Sequence, residues 1–213
     1  MEPRVPDFRM SGVARAIALC GALLLAACAG SAPVGAPANG FAFPAVARAY
    51  IPLASSGIFG GRFGVAVRIA PGVAATNAHN ANLLARDAII GRVPDEDLLF
   101  FRDPGMDVLP QGEPYSGETV VAYGQGARGA LRMVSGAVHR LGPNAFTYAA
   151  DGGQGFSGGP VLDAKTGALL GITYGYLDVE NGDGKIRLMI AYRATFAGRE
   201  LERILHTAGH SEN

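Results

Sequence analysis

The segment DGGQGFSGGPVL, residues 151–162, places five glycines within five residues of one serine, Ser157, and ends in a proline and two apolar residues. Glycine reaches backbone angles closed to other residues, so such a run can turn sharply and aim several N–H groups at one point. The residues after the serine decide the fold. PVLDAKTGALLGITYG (160–175) reads as strand, polar turn, strand, without the 3.6-residue spacing of a helix. Working outward, the same pattern recurs. GVAVRIA (64–70) and VAATNA (73–78) flank a Pro71-Gly72 turn as a hairpin. DLLFFR (97–102) is a short, nearly continuous apolar run, as expected of a strand buried on both faces. ETVVAYG (118–124), LRMVSGAVHR (131–140) and AFTYA (145–149) have strand lengths, while LDVENGDGKI (177–186) reads as a loop leading into RLMIAY (187–192). Only AGRELERILH (197–206) has helical spacing, with Leu201, Ile204 and Leu205 on one face. The expectation is an all-β fold with a C-terminal α-helix.

Composition agrees. The chain has 213 residues, 17% charged, with a formal net charge of zero. That argues against a nucleic-acid partner, which would need clustered Lys and Arg to neutralise phosphates. The 31 glycines and 13 prolines suit many short strands joined by tight turns.

The N-terminus reads as a targeting segment. AIALCGALLLAA (16–27) follows Arg15, is too short to span a bilayer comfortably, and has the character of a secretory signal's apolar region. LAAC (25–28) resembles the lipobox of bacterial lipoproteins, in which the cysteine is lipidated. The alternative is an ordinary signal cut near Ala-x-Ala, and Met10 is a second possible start. Residues 1–27 are thus expected as a lipoprotein-type signal peptide, 28–44 as a flexible Ala/Gly/Pro tether, 45–207 as the folded domain, and 208–213 as a tail. Both cysteines, Cys20 and Cys28, precede the folded part, which therefore carries neither a disulfide nor a thiolate metal site. No cofactor is expected.

A serine hydroxyl is a poor nucleophile unless a base takes its proton and donors hold the resulting oxyanion. GFSGG fits the loose G-x-S-x-G elbow of α/β-hydrolases, but that motif requires a helix after the serine, with the acid and histidine further on. Here a strand follows, and only His206 and His210 remain downstream. Upstream, Thr76-Asn77-Ala78-His79 closes the first clear strand, and eighteen residues on, Asp97 opens DLLFFR. Asp87, Asp95, Asp103 and Asp107 compete with Asp97 as the acid; Asp97 is favoured because an apolar strand follows it. His139 reads as a strand-end residue. DVENGDGKI faintly resembles an EF-hand, but Ile190 stands where the closing glutamate would be, so no metal is expected.

TNAH, DLLFF and GFSGGPV, in the order His, Asp, Ser, together resemble the chymotrypsin-like (trypsin-fold) serine peptidases, particularly the disulfide-free bacterial branch, over roughly residues 50–197. The resemblance implies two six-stranded antiparallel β-barrels with the site between them. It implies a triad in which His79 is the general base, Asp97 fixes its tautomer and Ser157 is the nucleophile, with the N–H groups of Gly155 and Ser157 as the oxyanion hole. Phe156 stands where activated animal-type members carry an aspartate that pairs with a new N-terminus, so that ion pair is ruled out. Asp151 lies at the spacing of the acid that selects Arg or Lys in trypsin-like members, although Ala150–Gly153 is also an ordinary turn sequence. Thr173, Tyr174 and Gly175 are expected in the pocket wall. The implied function is a serine endopeptidase acting on protein or peptide substrates, lipid-anchored through Cys28 to the bacterial envelope and facing the periplasm, or else periplasmic or secreted. The alternative is a catalytically silent binding module on the same scaffold.

Overall fold

In a computed structural model of the chain, residues 35–55, 61–126, 129–182 and 184–210 are described. The expected signal segment and Cys28 lie outside them. Among the described residues, strands and α-helices run in the order β1 (Ala36–Pro37), α1 (Pro44–Ala49), β2 (Tyr50–Ser55), β3 (Arg62–Ala70), β4 (Val73–Thr76), β5 (Ile89–Arg92), β6 (Leu99–Arg102), β7 (Thr119–Gln125), β8 (Leu131–Leu141), β9 (Ala145–Ala149), β10 (Pro160–Asp163), β11 (Leu169–Asn181), β12 (Gly184–Arg193) and α2 (Ala194–His210).

The strands form two antiparallel sheets. The second has the order β1-β8-β7-β10-β11-β12-β9, and the pairing of β8 with β9 closes β7–β12 into a six-stranded barrel. The first has five strands among the described residues, in the order β2-β3-β4-β6-β5, rather than the six expected. The hairpin predicted around Pro71-Gly72 is β3–β4, with Gly72 at φ 78°.

Three apolar clusters hold this arrangement. One fills the barrel with Val120, Tyr148, Phe156, Val161 and Met189. A second lies between the first sheet and the residues that follow β4, around Leu53, Leu99 and Phe101 with Leu83 and Leu84 packed against them. The third joins the sheets and α2 through Val67, Phe100, Leu162, Ile172, Tyr192 and Phe196. In α2, Leu201 is buried and Ile204 packs against the third cluster, but Leu205 is 48% exposed, so the buried face is narrower than the spacing predicted.

Two expectations about segment character need correction. LDVENGDGKI is not a loop: β11 and β12 stay paired out to Asn181 and Gly184, forming a long arm. Within the expected tether, Ala36 and Pro37 pair with β8, and Phe41 packs against Tyr50 and Tyr123, with Phe43 also against the third cluster, so two phenylalanines anchor what its small residues alone could not.

Candidate active site

Ser157 is the second residue of the latter of two successive tight turns, 153–156 and 156–159. Phe156 N–H donates to the Gly153 carbonyl at 3.2 Å and Gly159 N–H to the Phe156 carbonyl at 2.8 Å. The third residue of each turn, Gly155 and Gly158, has φ of 86° and 82°, the left-handed value a type II turn requires there. A Cβ at Gly155 would overlap the Gln125 carbonyl oxygen, and one at Gly158 would overlap that of Val65. Phe156 is fully buried in the barrel and anchors the loop by packing. The Ser157 carbonyl accepts from Val65 N–H at 2.9 Å and from Asn80 Nδ2 at 3.2 Å. Among the described residues, the N–H groups of Gly155 and Ser157 donate to no protein acceptor.

The first sheet supplies the histidine and the acid. β4 ends at Thr76, and a 3-10 turn over Ala78–Leu83 presents His79. His79 Nδ1 lies 2.6 Å from Asp97 Oδ2, and His79 N–H donates to Asp97 Oδ1 at 3.0 Å, so both carboxylate oxygens serve one residue. Asn77 Nδ2 holds the Asp97 carbonyl at 3.0 Å. The His79 ring and Ser157 line one cavity of about 630 Å³, also bordered by Arg62, Phe63, Asn80, Gln154 and Gly155. No hydrogen bond joins His79 to Ser157; in unliganded enzymes such bonds are often open and tighten with substrate.

Two of the competing acids are paired with arginines. Asp103 pairs with buried Arg68 at 2.5 Å and Asp107 with Arg48 at 2.9 Å, while Asp95 occupies a turn at φ 61° and the Asp87 carbonyl accepts from Arg102. His139 is exposed on β8. Among the described residues no group of three His, Cys, Asp or Glu could hold a metal ion.

Ser157 also borders a second cavity, of about 280 Å³, lined by Gly153, Gln154, Thr173, Tyr174, Gly175, Tyr176 and Met189. Thr173, Tyr174 and Gly175 stand together in this lining. Asp151 is not in this lining: its side chain is exposed and its carbonyl accepts from Gly35 N–H. Arg187, from the arm, braces the wall. It donates to the Gly152 carbonyl at 3.1 Å, pairs with both Asp178 oxygens at 2.7 and 3.0 Å, and lies 4.5 Å from the Tyr176 ring centre.

Several residues here escaped the sequence reading. Buried Asn80 joins Thr76 Oγ1 at 3.0 Å to the Ser157 carbonyl; its only sequence signal is its place directly after His79. Met189 enters the pocket from the far strand of a hairpin. Burial, followed by the charges of Glu96 and Asp97, raises the Tyr174 phenol.

No protein-family model matches the chain, and no curated protein matches it in sequence. Its structure is similar to that of Rv3671c of M. tuberculosis H37Rv in a serine-to-alanine, inactive form, with TM-score 0.58 and 22% identity over 82% of this chain and 97% of that one. The Rv3671c protease in an inactive form superposes with TM-score 0.57 at the same identity, over 81% and 98% of the two chains. The MamO protease domain of Magnetospirillum magneticum, in its apo form, gives TM-score 0.53 at 17% identity over 74% and 97%. At such identities the likeness speaks to architecture alone. With its closed six-stranded barrel, second sheet and terminal helix, the chain has the chymotrypsin-like serine protease fold.

Proposed function

We propose that the protein is a serine endopeptidase with His79, Asp97 and Ser157 as its triad. The observation that carries this reading is the short His79–Asp97 pair facing Ser157 across one cavity. In the reaction, Ser157 Oγ attacks the scissile carbonyl carbon as His79 Nε2 takes its proton. The carbonyl oxygen, now an oxyanion, lies against the Gly155 and Ser157 N–H groups, which no protein acceptor occupies among the described residues. His79 then gives its proton to the leaving amine, and water hydrolyses the acyl-enzyme by the same route. Asp97 holds the imidazole in the tautomer with Nδ1–H and stabilises the imidazolium.

The residue before the scissile bond enters the smaller cavity. Its lining among the described residues contains no charged side chain. An uncharged, medium-sized side chain therefore fits better than Arg or Lys, in place of the basic preference that Asp151 would have conferred.

Anchoring is proposed on sequence grounds. LAAC directly after the apolar run supports lipidation of Cys28 and an envelope location facing the periplasm. Metabolic labelling with a fatty-acid analogue, lost in Cys28→Ser, tests it.

The chemistry is tested by a serine-reactive fluorophosphonate on the intact protein. A single adduct on Ser157, absent in Ser157→Ala and His79→Ala, is expected, with hydrolysis rising from acid to neutral pH and uncharged residues preferred before the cut. A folded sample that takes up no label would favour the second reading, a catalytically silent binding module on the same scaffold.

A further inference from the structure

We infer that Tyr192 is a positioning residue for Asp97, holding the acid's backbone from the opposite half of the molecule; the inference rests on the peptidase reading of the site. Asp97 uses both carboxylate oxygens on His79. Where that carboxylate stands therefore depends on what fixes the Asp97 main chain. Its carbonyl is held by Asn77 from the same sheet. Its N–H donates, at 2.9 Å, to the hydroxyl of Tyr192, which is 95 residues away at the end of β12.

The hydroxyl is fully engaged. It accepts from Asp97 and donates to Glu96 Oε2 at 3.0 Å, so it grips two consecutive residues of the acid loop. Burial, with the Glu96 carboxylate beside it, raises the phenol and keeps it a donor. Packing alone does not call for this group. The ring is 3% exposed in the cluster that joins the two sheets, and phenylalanine would fill that space equally well. The hydroxyl adds only the two bonds to the acid loop, and burying it without them would be unfavourable. The ring also stacks on Tyr174 at 4.1 Å and 21°. Tyr174 lines the smaller cavity, so one line of contacts runs from the pocket wall through Tyr192 to Asp97 and His79. The charged or titratable groups against this line are Glu96, Asp97, His79 and Tyr174.

The test is Tyr192→Phe in the full chain, which keeps the stack and removes the hydroxyl. Three readouts apply: the low-field proton of the His79–Asp97 bond by NMR, amide exchange at Asp97, and kcat separately from KM. We expect kcat to fall about tenfold with KM unchanged, as for one lost hydrogen bond to the catalytic arrangement. The low-field proton should broaden, and the Asp97 amide should exchange faster while β12 amides stay protected. Wild-type kcat and proton signal in the variant would overturn the inference, as would equal loosening of β12, which marks a merely structural role. Should the variant not fold, the wild-type Asp97 amide decides: slow exchange supports the bond, and exchange at the rate of a free surface amide removes it. The NMR readouts need no turnover. A wild-type chain without hydrolytic activity would sink the peptidase reading and leave this one measurable.

Discussion

At the scale of single residues, the site depends on positions where only glycine fits. Gly155 has φ 86°, and a Cβ there meets backbone rather than a movable side chain. Gly155→Ala must therefore shift the peptide that carries one of the two free N–H groups. Removing one such donor typically costs about 10²–10³ in kcat. We expect Gly155→Ala to lose at least about a hundredfold in kcat, with a much smaller change in KM, in steady-state peptide hydrolysis. Near-normal turnover would show that the N–H groups around Ser157 do not hold the oxyanion. The glycines, His79, Asp97 and Ser157 stand out in the sequence as candidates because each lies in a local motif whose chemistry restricts the residue type. Tyr192, Asn80 and Met189 do not. Their roles come from contacts with residues distant in the chain, 95 and 77 positions away for the first two, and nothing local to AYR or LMI marks Tyr192 or Met189. For Asp151 the sequence left two readings open, a pocket acid by its spacing and an ordinary turn; the residue is exposed and outside the lining of the smaller cavity.

At the scale of elements, the strands that escaped the sequence reading are those whose position relaxes the usual rules. β2 contains Pro52, which argues against a central strand, but β2 lies at the edge of its sheet, where a missing donor is tolerated. β5 is an edge strand of four residues, and α1 has six, opening on Pro44 at its first turn; neither is long enough to show a period. The arm was read as a loop because it is polar. In the ladder, however, Asp178 faces Arg187 and Glu180 faces Lys185, and opposite charges directly across a pair stabilise it. That symmetry of sign about residues 181–184 was present in the sequence. The hydrogen bonds from Arg187 hold the Asp178 carboxyl below the ordinary carboxylate range. A depressed carboxyl contributes stability above its unfolded pKa, and that contribution fades as pH falls through the folded value. The melting-temperature gap between wild type and Asp178→Asn should thus be largest near neutrality and close under acid conditions. Because the carboxylate is partly exposed, the gap should also narrow with salt. A gap independent of pH would mean that the pair adds nothing through its charge.

At the scale of the whole molecule, the two sheets meet through buried polar bonds as well as apolar packing, and Gln125 is one of these joints. It ends β7 of the closed barrel, is 3% exposed, and its N–H donates to the Gly155 carbonyl at 2.7 Å. Its Nε2 donates across the interface to the carbonyl of Leu53 at 3.0 Å and to that of Gly64. One side chain therefore fixes β2 and β3 of the first sheet while its backbone fixes the turn before Ser157. Gln125→Ala leaves two buried carbonyls without that donor, at about 1–3 kcal/mol each if water does not replace it. Two consequences separate this from an ordinary core truncation. The joint lies between sheets that contribute His79 and Ser157 separately, so turnover should fall more than stability at temperatures where the variant is fully folded. The halves should also lose cooperativity: wild type is expected to unfold in urea in one transition seen alike by far-ultraviolet dichroism and tyrosine fluorescence, and Gln125→Ala to pull the two apart. Coincident transitions in the variant, with activity falling only as the folded fraction falls, would place the coupling of the sheets in their shared apolar cluster instead.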